Sequence, residues 1–341
     1  MNIRNSSLYT KKLCGFFFAI IALLPVILQA GGNQPGEIKK TAWGDPDIQG
    51  IWEYWTFTPL ERPDEMGNRS ELSDEEAAAV AQEGVDAARA TDAGAQDGDT
   101  GAYGQEVWTE RSRAVALNQP SLIVDPLNGK IPAFTASEER RIAQHAAAGG
   151  RPVRTRAGGI GTDGPEDRGL AERCILGFST GPPLLPAGYN NNVQVFQAPG
   201  YVVLVIEMIH DVRIIPLDGR AHLPANVTQW LGDARGRWEG ETLVVETTNF
   251  PDSIGSFSTT SVTWGTGEDL TLIEKFTRLD DDTLEYEFTV NNPSIFESPF
   301  TARYPMNRSD LPLYEYACHE GNYGLMNILT GARTEDGTLT R

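Results

Sequence analysis

Four residues able to do chemistry crowd one short stretch: Glu207, His210, Asp211 and Arg213. A second dense polar run, Tyr314-Glu-Tyr316-Ala-Cys318-His319-Glu320-Gly-Asn322-Tyr323, lies near the C-terminus. The chain has only four histidines, and two of them are followed by a carboxylate, in His210-Asp211 and His319-Glu320. A site that gathers His, carboxylate, Arg and Tyr holds what general acid–base catalysis needs. His or Glu can be tuned toward neutral pH, Arg stabilises an oxyanion, and Tyr donates a proton. The expected roles are Glu207 or His319 as base, His210 or Tyr316 as proton donor, and Arg213 as the clamp for an oxyanion or carboxylate. Asp211, Glu320, Asn322 and Tyr323 are the expected substrate-binding residues. The competing reading is a structural ion pair between Arg213 and one carboxylate.

Strand parity sharpens these roles. On an unbroken strand Glu207, Asp211 and Arg213 share one face, while Met208 and His210 share the other. All four converge only through a bulge near Ile209. Metal binding is the alternative chemistry, with His210, His222 and His319 as the ligands it would use. Glu207-x-x-His210 puts both groups on one face of a helix but on opposite faces of a strand, and no pair here has a recognised ligand spacing. No cofactor is expected.

Two further motifs lack their context. Gly159-Ile-Gly161-Thr-Asp-Gly164 matches G-x-G-x-x-G but has neither a strand before it nor a helix after it, so it reads as a loop. Gly177-Phe-Ser179-Thr-Gly181 matches the nucleophile elbow, yet it runs straight into Pro182-Pro183, which blocks the helix an elbow requires. His145 sits on a polar helix with no chemical neighbour.

The elements that must position the two polar runs are mostly strands. Residues 201–206 are apolar on both parities, as in a strand covered on both faces, and the 60–190 region is the expected cover. Pro199-Gly200 and Asp280-Asp-Asp282 mark hairpins, the first between 193–198 and 201–208, the second between 270–279 and 283–290. With 51–58, 211–216, a strand leading through Gly236 to Gly240, 242–248, 300–306 and 313–318, about nine strands follow one another without helical periodicity. Such a meander closes into an antiparallel up-and-down β-barrel. Before it comes a helical and loop excursion over about 60–190. Ser73 with Glu76, and Thr135 with Glu138, form capping boxes that open helices running to about Ala90 and Ala147.

Composition sets the setting. Arg4, Lys11 and Lys12 precede an apolar run over 13–28 with small residues at 30–32, the pattern of a signal peptide over residues 1–30. The rest, 31–341, is expected to be one barrel domain, periplasmic or secreted. Cleavage would remove three cations and no acid, taking the formal charge from −19 to −22. That charge repels nucleic acid and anionic membranes and favours neutral or cationic small molecules. Cys174 and Cys318 could form one disulfide across a very long loop, if their Cα atoms approach closely enough.

Gly50-Ile-Trp52 at the start of the first strand resembles the G-x-W opening of lipocalin-like barrels, which implies a Gly at the turn and a Trp closing the barrel floor. WGDPDIQGIW, MIHDVRIIPLDGR, LGDARGRWEGETLVVETTNF and YEYACHEGNYG together resemble a large family of exported bacterial proteins of unknown function, across nearly all of the mature chain. That resemblance implies export and brings no activity. The expectation is therefore an exported lyase- or isomerase-type enzyme. It would use metal-independent acid–base chemistry on a small, neutral, partly apolar molecule in the barrel cavity. The alternatives are a lipocalin-like carrier without catalysis and a His/carboxylate metal enzyme.

Overall fold

In the computed structural model, the residues described are 39–96, 113, 115–147, 164–177, 179–251 and 269–338. The signal-peptide expectation and the G-x-G-x-x-G run before Gly164 lie outside them. The strands are β1 (Gly50–Glu53), β2 (Ile123–Asp125), β3 (Asn192–Ala198), β4 (Tyr201–Ile206), β5 (Val212–Pro216), β6 (Asp233–Glu239), β7 (Thr242–Thr248), β8 (Thr271–Arg278), β9 (Thr283–Asn291) and β10 (Phe300–Arg308). The helices are α1 (Asp74–Gln96), α2 (Ala136–Ala147) and α3 (Tyr323–Glu335).

Nine strands form one antiparallel path in the order β5-β4-β3-β1-β10-β9-β8-β7-β6, and β2 pairs β10 beside the short β1. Each hairpin is legible in its residues. Pro199-Gly200 joins β3 to β4 with Val195 opposite Leu204. Asp280-Asp-Asp282 joins β8 to β9, and Gly240-Glu241 joins β6 to β7. The two ends of the path come together without a ladder. At that seam a Cβ on Gly236 would fall 2.8 Å from Ile215 and 2.6 Å from Leu217, so β6 approaches β5 this closely only because it carries a glycine there. The result is a nearly closed, lipocalin-like barrel.

Alternation sets the inside. In β8, Leu272, Glu274, Phe276 and Arg278 are buried; in β9, Leu284, Tyr286, Phe288 and Val290 are, with half-buried residues between them. Trp52 closes one end. It is fully buried, its indole N–H donates to Ile48 O at 2.9 Å, and the Arg278 and Arg308 guanidinium groups lie 5.7 and 5.9 Å from its ring. Residues 179–187 close the other. The Leu184 amide donates to the Tyr286 hydroxyl at 3.1 Å, Tyr304 donates to Leu184 O at 2.6 Å, and Tyr54 donates to Ser179 O at 3.0 Å.

The helices open where the capping residues stand. The Ser73 amide donates to Glu76 Oε2 at 2.9 Å and the Glu76 amide donates to Ser73 Oγ at 3.3 Å, a complete capping box. Ala77, Ala81, Val85 and Ala88 form the buried stripe of α1, and Gly84 lets it approach the Phe57 ring, where a Cβ would sit 2.2 Å away. The helix continues past Ala90 to Gln96. At α2 only half of the box forms: Thr135 accepts from the Glu138 amide, while the Glu138 carboxylate turns to Arg141.

Three expectations about strands are corrected. Residues 207–213 are neither an unbroken strand nor a bulged one, because the chain reverses through a short 3-10 turn, Met208–His210, with Ile209 and His210 in the left-handed region at φ 62° and 50°. Residues 313–318 form no strand; they run as an extended strap across the outside. The outer face of β4 is also not fully covered, contrary to what its apolar run implied. Val203 and Val205 are half-buried, and around them Phe196, Val212 and Ile214 are exposed. The apolar character on both parities therefore goes with an outer face that is partly exposed.

Between β5 and β6 the segment 217–232 is tied back onto β6 and β7. The Asn249 amide donates to the carbonyls of Leu223, Pro224 and Val227 at 3.0–3.1 Å, and the His222 ring bridges Asp233 (2.9 Å) and Glu246 (3.1 Å). Burial pushes the Asp233 carboxyl up, but the Leu223 amide, His222 and Arg235 outweigh it and hold the group below the usual aspartate range. A depressed carboxyl contributes stability that is complete above its unfolded value, here 3.8, and is lost as the pH falls through the folded one. Hydrogen-exchange protection at the Leu223 and Gln229 amides is thus expected to hold above about pH 4 and to drop relative to β8 as the pH falls below it. Asp233→Asn is expected to abolish that dependence, and constant protection as the pH falls in the unsubstituted chain would refute it.

Candidate functional site

The two polar runs do meet, but outside the barrel. Glu207 follows β4 immediately and is buried at 4 % exposure. Its carboxylate accepts from Asn192 Nδ2 at 2.8 Å and from the Tyr314 amide at 3.1 Å. One residue type at the end of β4 thus docks the strap onto the sheet. The Tyr316 carbonyl lies 3.1 Å from His210 Nδ1 on the left-handed turn, and Cys318 is joined to Cys174 with 5.8 Å between Cα atoms. The disulfide left open by the sequence is therefore formed. Asn322 then donates to Glu172 O at 3.0 Å.

Strap, sheet and the 171–174 loop enclose a groove of about 1130 Å³. Its chemistry comes from Tyr189, Tyr314 and Tyr316, from Asn190 and Asn192, and from the carboxylates of Glu53, Glu172, Glu207, Glu315 and Glu320. Among the described residues Arg113 is the one cationic side chain on its wall, and it is paired with Glu53 at 2.7 Å; Glu172 is paired with Arg168 at 3.0 Å. Rings and carboxylates at a wide opening can stack on and hydrogen-bond a small polar molecule, and they favour a neutral or cationic one.

The structure sorts the residues expected at the site. Glu207, Tyr316, Glu320 and Asn322 line the groove. Tyr323, at the start of α3, and His319, between Cys318 and Glu320, are exposed and are not part of its lining. His210 touches the strap through the Tyr316 carbonyl, and Asp211 follows it, half-buried, at the entry to β5. Arg213 belongs elsewhere. On β5 it points into the barrel and forms a two-pronged ion pair with Glu274, with Nη1 3.0 Å from Oε1, and it reaches Thr247 at 3.2 Å. The reason is parity after the turn: the reversal at Ile209 restarts the alternation, so Arg213 and Ile215 face inward and Val212 and Ile214 outward. The ion-pair reading holds for Arg213, with a partner 61 residues away that sequence spacing did not suggest.

The histidines do not gather. His210 is on the turn, His319 on the strap, and His222 on the 217–232 segment; among the described residues no group of three or more His, Cys, Asp or Glu forms a ligand set. Ser179 of the elbow-like motif is fully buried and donates to the Asn190 carbonyl at 3.2 Å, so it faces no opening. The groove residues missed by sequence reasoning include Glu53, Arg113, Glu172, Tyr189, Asn190 and Asn192. Only Asn192 carried a signal, as the polar residue opening β3 opposite Glu53.

The fold is that of a nearly closed antiparallel β-barrel with a groove against the outside of the wall. Comparison with protein-family models, with curated proteins and with solved structures finds no match in any of the three.

Proposed function

We propose that this chain is a small-molecule-binding barrel protein, exported as its N-terminal segment implies, and that its ligand is a small neutral or cationic polar molecule seated in the Glu207–Tyr316 groove. The observation that carries the reading is the strap itself. A segment with exposed tyrosines and carboxylates is fixed over the sheet edge by a buried carboxylate and a disulfide, leaving an opening of ligand size. Preorganised walls of this kind spare a ligand the cost of ordering them. In a thermal-shift screen, polyols and organic cations are expected to raise the melting temperature and organic anions are not. Tyr316→Ala is expected to weaken the best binder about tenfold or more, the effect of removing an aromatic contact. Anions binding better than cations and polyols, or no member of the panel binding, would sink the proposal.

A second reading is favoured by one observation. Glu207 is a carboxylate fixed by two donors at the bottom of the groove, with the Tyr316 side chain on the same wall. That is the arrangement for a metal-independent acid–base lyase or isomerase with Glu207 as base and Tyr316 as donor. Arg213, locked in the barrel, takes no part in it. Glu207→Gln separates the readings: retained binding of a turned-over compound with turnover down by about a hundredfold or more marks the enzyme.

A further inference from the structure

We propose that the Cys174–Cys318 disulfide is a reducible latch on the groove, opened by a dithiol that approaches through the groove and attacks Cys318. The inference goes beyond the binding reading and does not depend on the ligand. Cys318 lines the groove and is half-buried, whereas Cys174 lies beneath it at 7 % exposure, so the two sulfurs differ in access. The Asn322 amide donates to Cys174 Sγ at 3.4 Å. A donor on that sulfur stabilises it as a leaving thiolate, and exchange is faster when the leaving sulfur is the better anion.

The step follows from that asymmetry. One thiolate of the dithiol bonds to Cys318 Sγ, the Cys174–Cys318 bond breaks, and its electron pair leaves on Cys174 Sγ. The second thiol of the reagent then displaces Cys318 Sγ, closing its own disulfide. The protein gains two electrons and, after protonation, two thiols; the dithiol is oxidised by the same amount.

What the latch holds is the strap and α3. From residue 311 to 338, Leu329 is the one buried residue among those described, and the crosslink is the covalent tie to the 171–174 wall. No barrel strand contains either cysteine, so the ladders from β5 to β6 are left in place when the bond opens. Segments with little buried surface open at low free energy once a constraint goes.

The test uses the full chain with graded dithiothreitol under native conditions, followed by thiol alkylation and brief chymotrypsin digestion. The bond is expected to reduce while the far-UV circular dichroism of the barrel is kept. Cleavage within 311–338 is expected to rise about tenfold or more. The Cys174→Ser/Cys318→Ser double variant is expected to cleave at the fast rate without reductant. Asn322→Ala is expected to slow reduction several-fold, which a purely structural crosslink would not show. Resistance of the bond to dithiothreitol, unchanged cleavage after reduction, an Asn322→Ala rate equal to the unsubstituted one, or loss of the barrel signal in step with reduction would each overturn the proposal.

Discussion

Arg213→Ala is expected to destabilise the barrel by about 3–5 kcal/mol, the range for stripping one partner from a buried ion pair. The guanidinium is 3 % exposed and Glu274 is fully buried, so the substitution leaves a carboxylate in the interior with no cation facing it. Burial works against the Arg213 charge, but Glu274 more than compensates and raises its pKa. The Tyr286 hydroxyl, 2.7 Å from Glu274, is pushed well above the usual tyrosine range, by burial first and by the Glu274 charge second, so it stays protonated and keeps donating. One donor left on a bare carboxylate does not replace a two-pronged cation. The control is Arg213→Met with Glu274→Leu, which removes both charges and is expected to recover most of the loss, since paired apolar replacements are often neutral. Urea unfolding measures both. A single variant within about 1 kcal/mol of the unsubstituted chain, inside the range of exposed pairs, would show that the interior is wetter than its burial implies.

Trp52→Ala is expected to cost a comparable amount, about 3–5 kcal/mol, the range for deleting a large aromatic side chain from a packed site. The indole is fully buried at the closed end, its N–H is spent on Ile48 O, and two guanidinium groups face its ring. Truncation opens a void and takes the π-face from Arg278 and Arg308 together. Arg278 is also bonded to the carbonyls of Asp47, Asp280 and Asp281, so the β8–β9 turn and the residues before β1 are held through the same guanidinium. Trp52→Phe keeps a ring and loses the hydrogen bond, and it is expected to lie between the two. Tryptophan-to-alanine stability close to that of the unsubstituted chain would mean that this end is closed by something other than Trp52.

The barrel was legible in the sequence because its signals are local. The Pro199-Gly200 and Asp280–Asp282 turns, the alternation through β8 and β9 and the Gly-Ile-Trp start each state their geometry within a few residues. Meeting of the two polar runs was legible too, since strand ends are where irregular chain must pass. What failed was parity across 207–213. A bulge and a full reversal differ by the two left-handed residues Ile209 and His210, and neither is a glycine that would announce φ > 0. The reversal puts Glu207 on the outer face while Arg213 stays inward, so the two do not share a site. The strap was misread as a strand because Tyr and Leu at alternating positions look the same whether a ladder or a disulfide holds them.

The seam between β5 and β6 has a consequence for how this barrel fails. Topologically it is a ribbon of nine strands rolled until its ends touch, and side chains around Gly236 and Ile215 do the touching. Every other boundary must break a row of backbone hydrogen bonds to part, so damage to the wall is channelled to one line. Once unrolled, the ribbon offers two strand edges. The one at β5 also displays Val212 and Ile214, the pairing template that promotes runaway association between chains. The 217–232 segment leaves β5 and is tied down on β6 and β7, so it spans this line like a clasp. The same hydrogen bonds that fix a surface loop thereby protect the chain against its own copies.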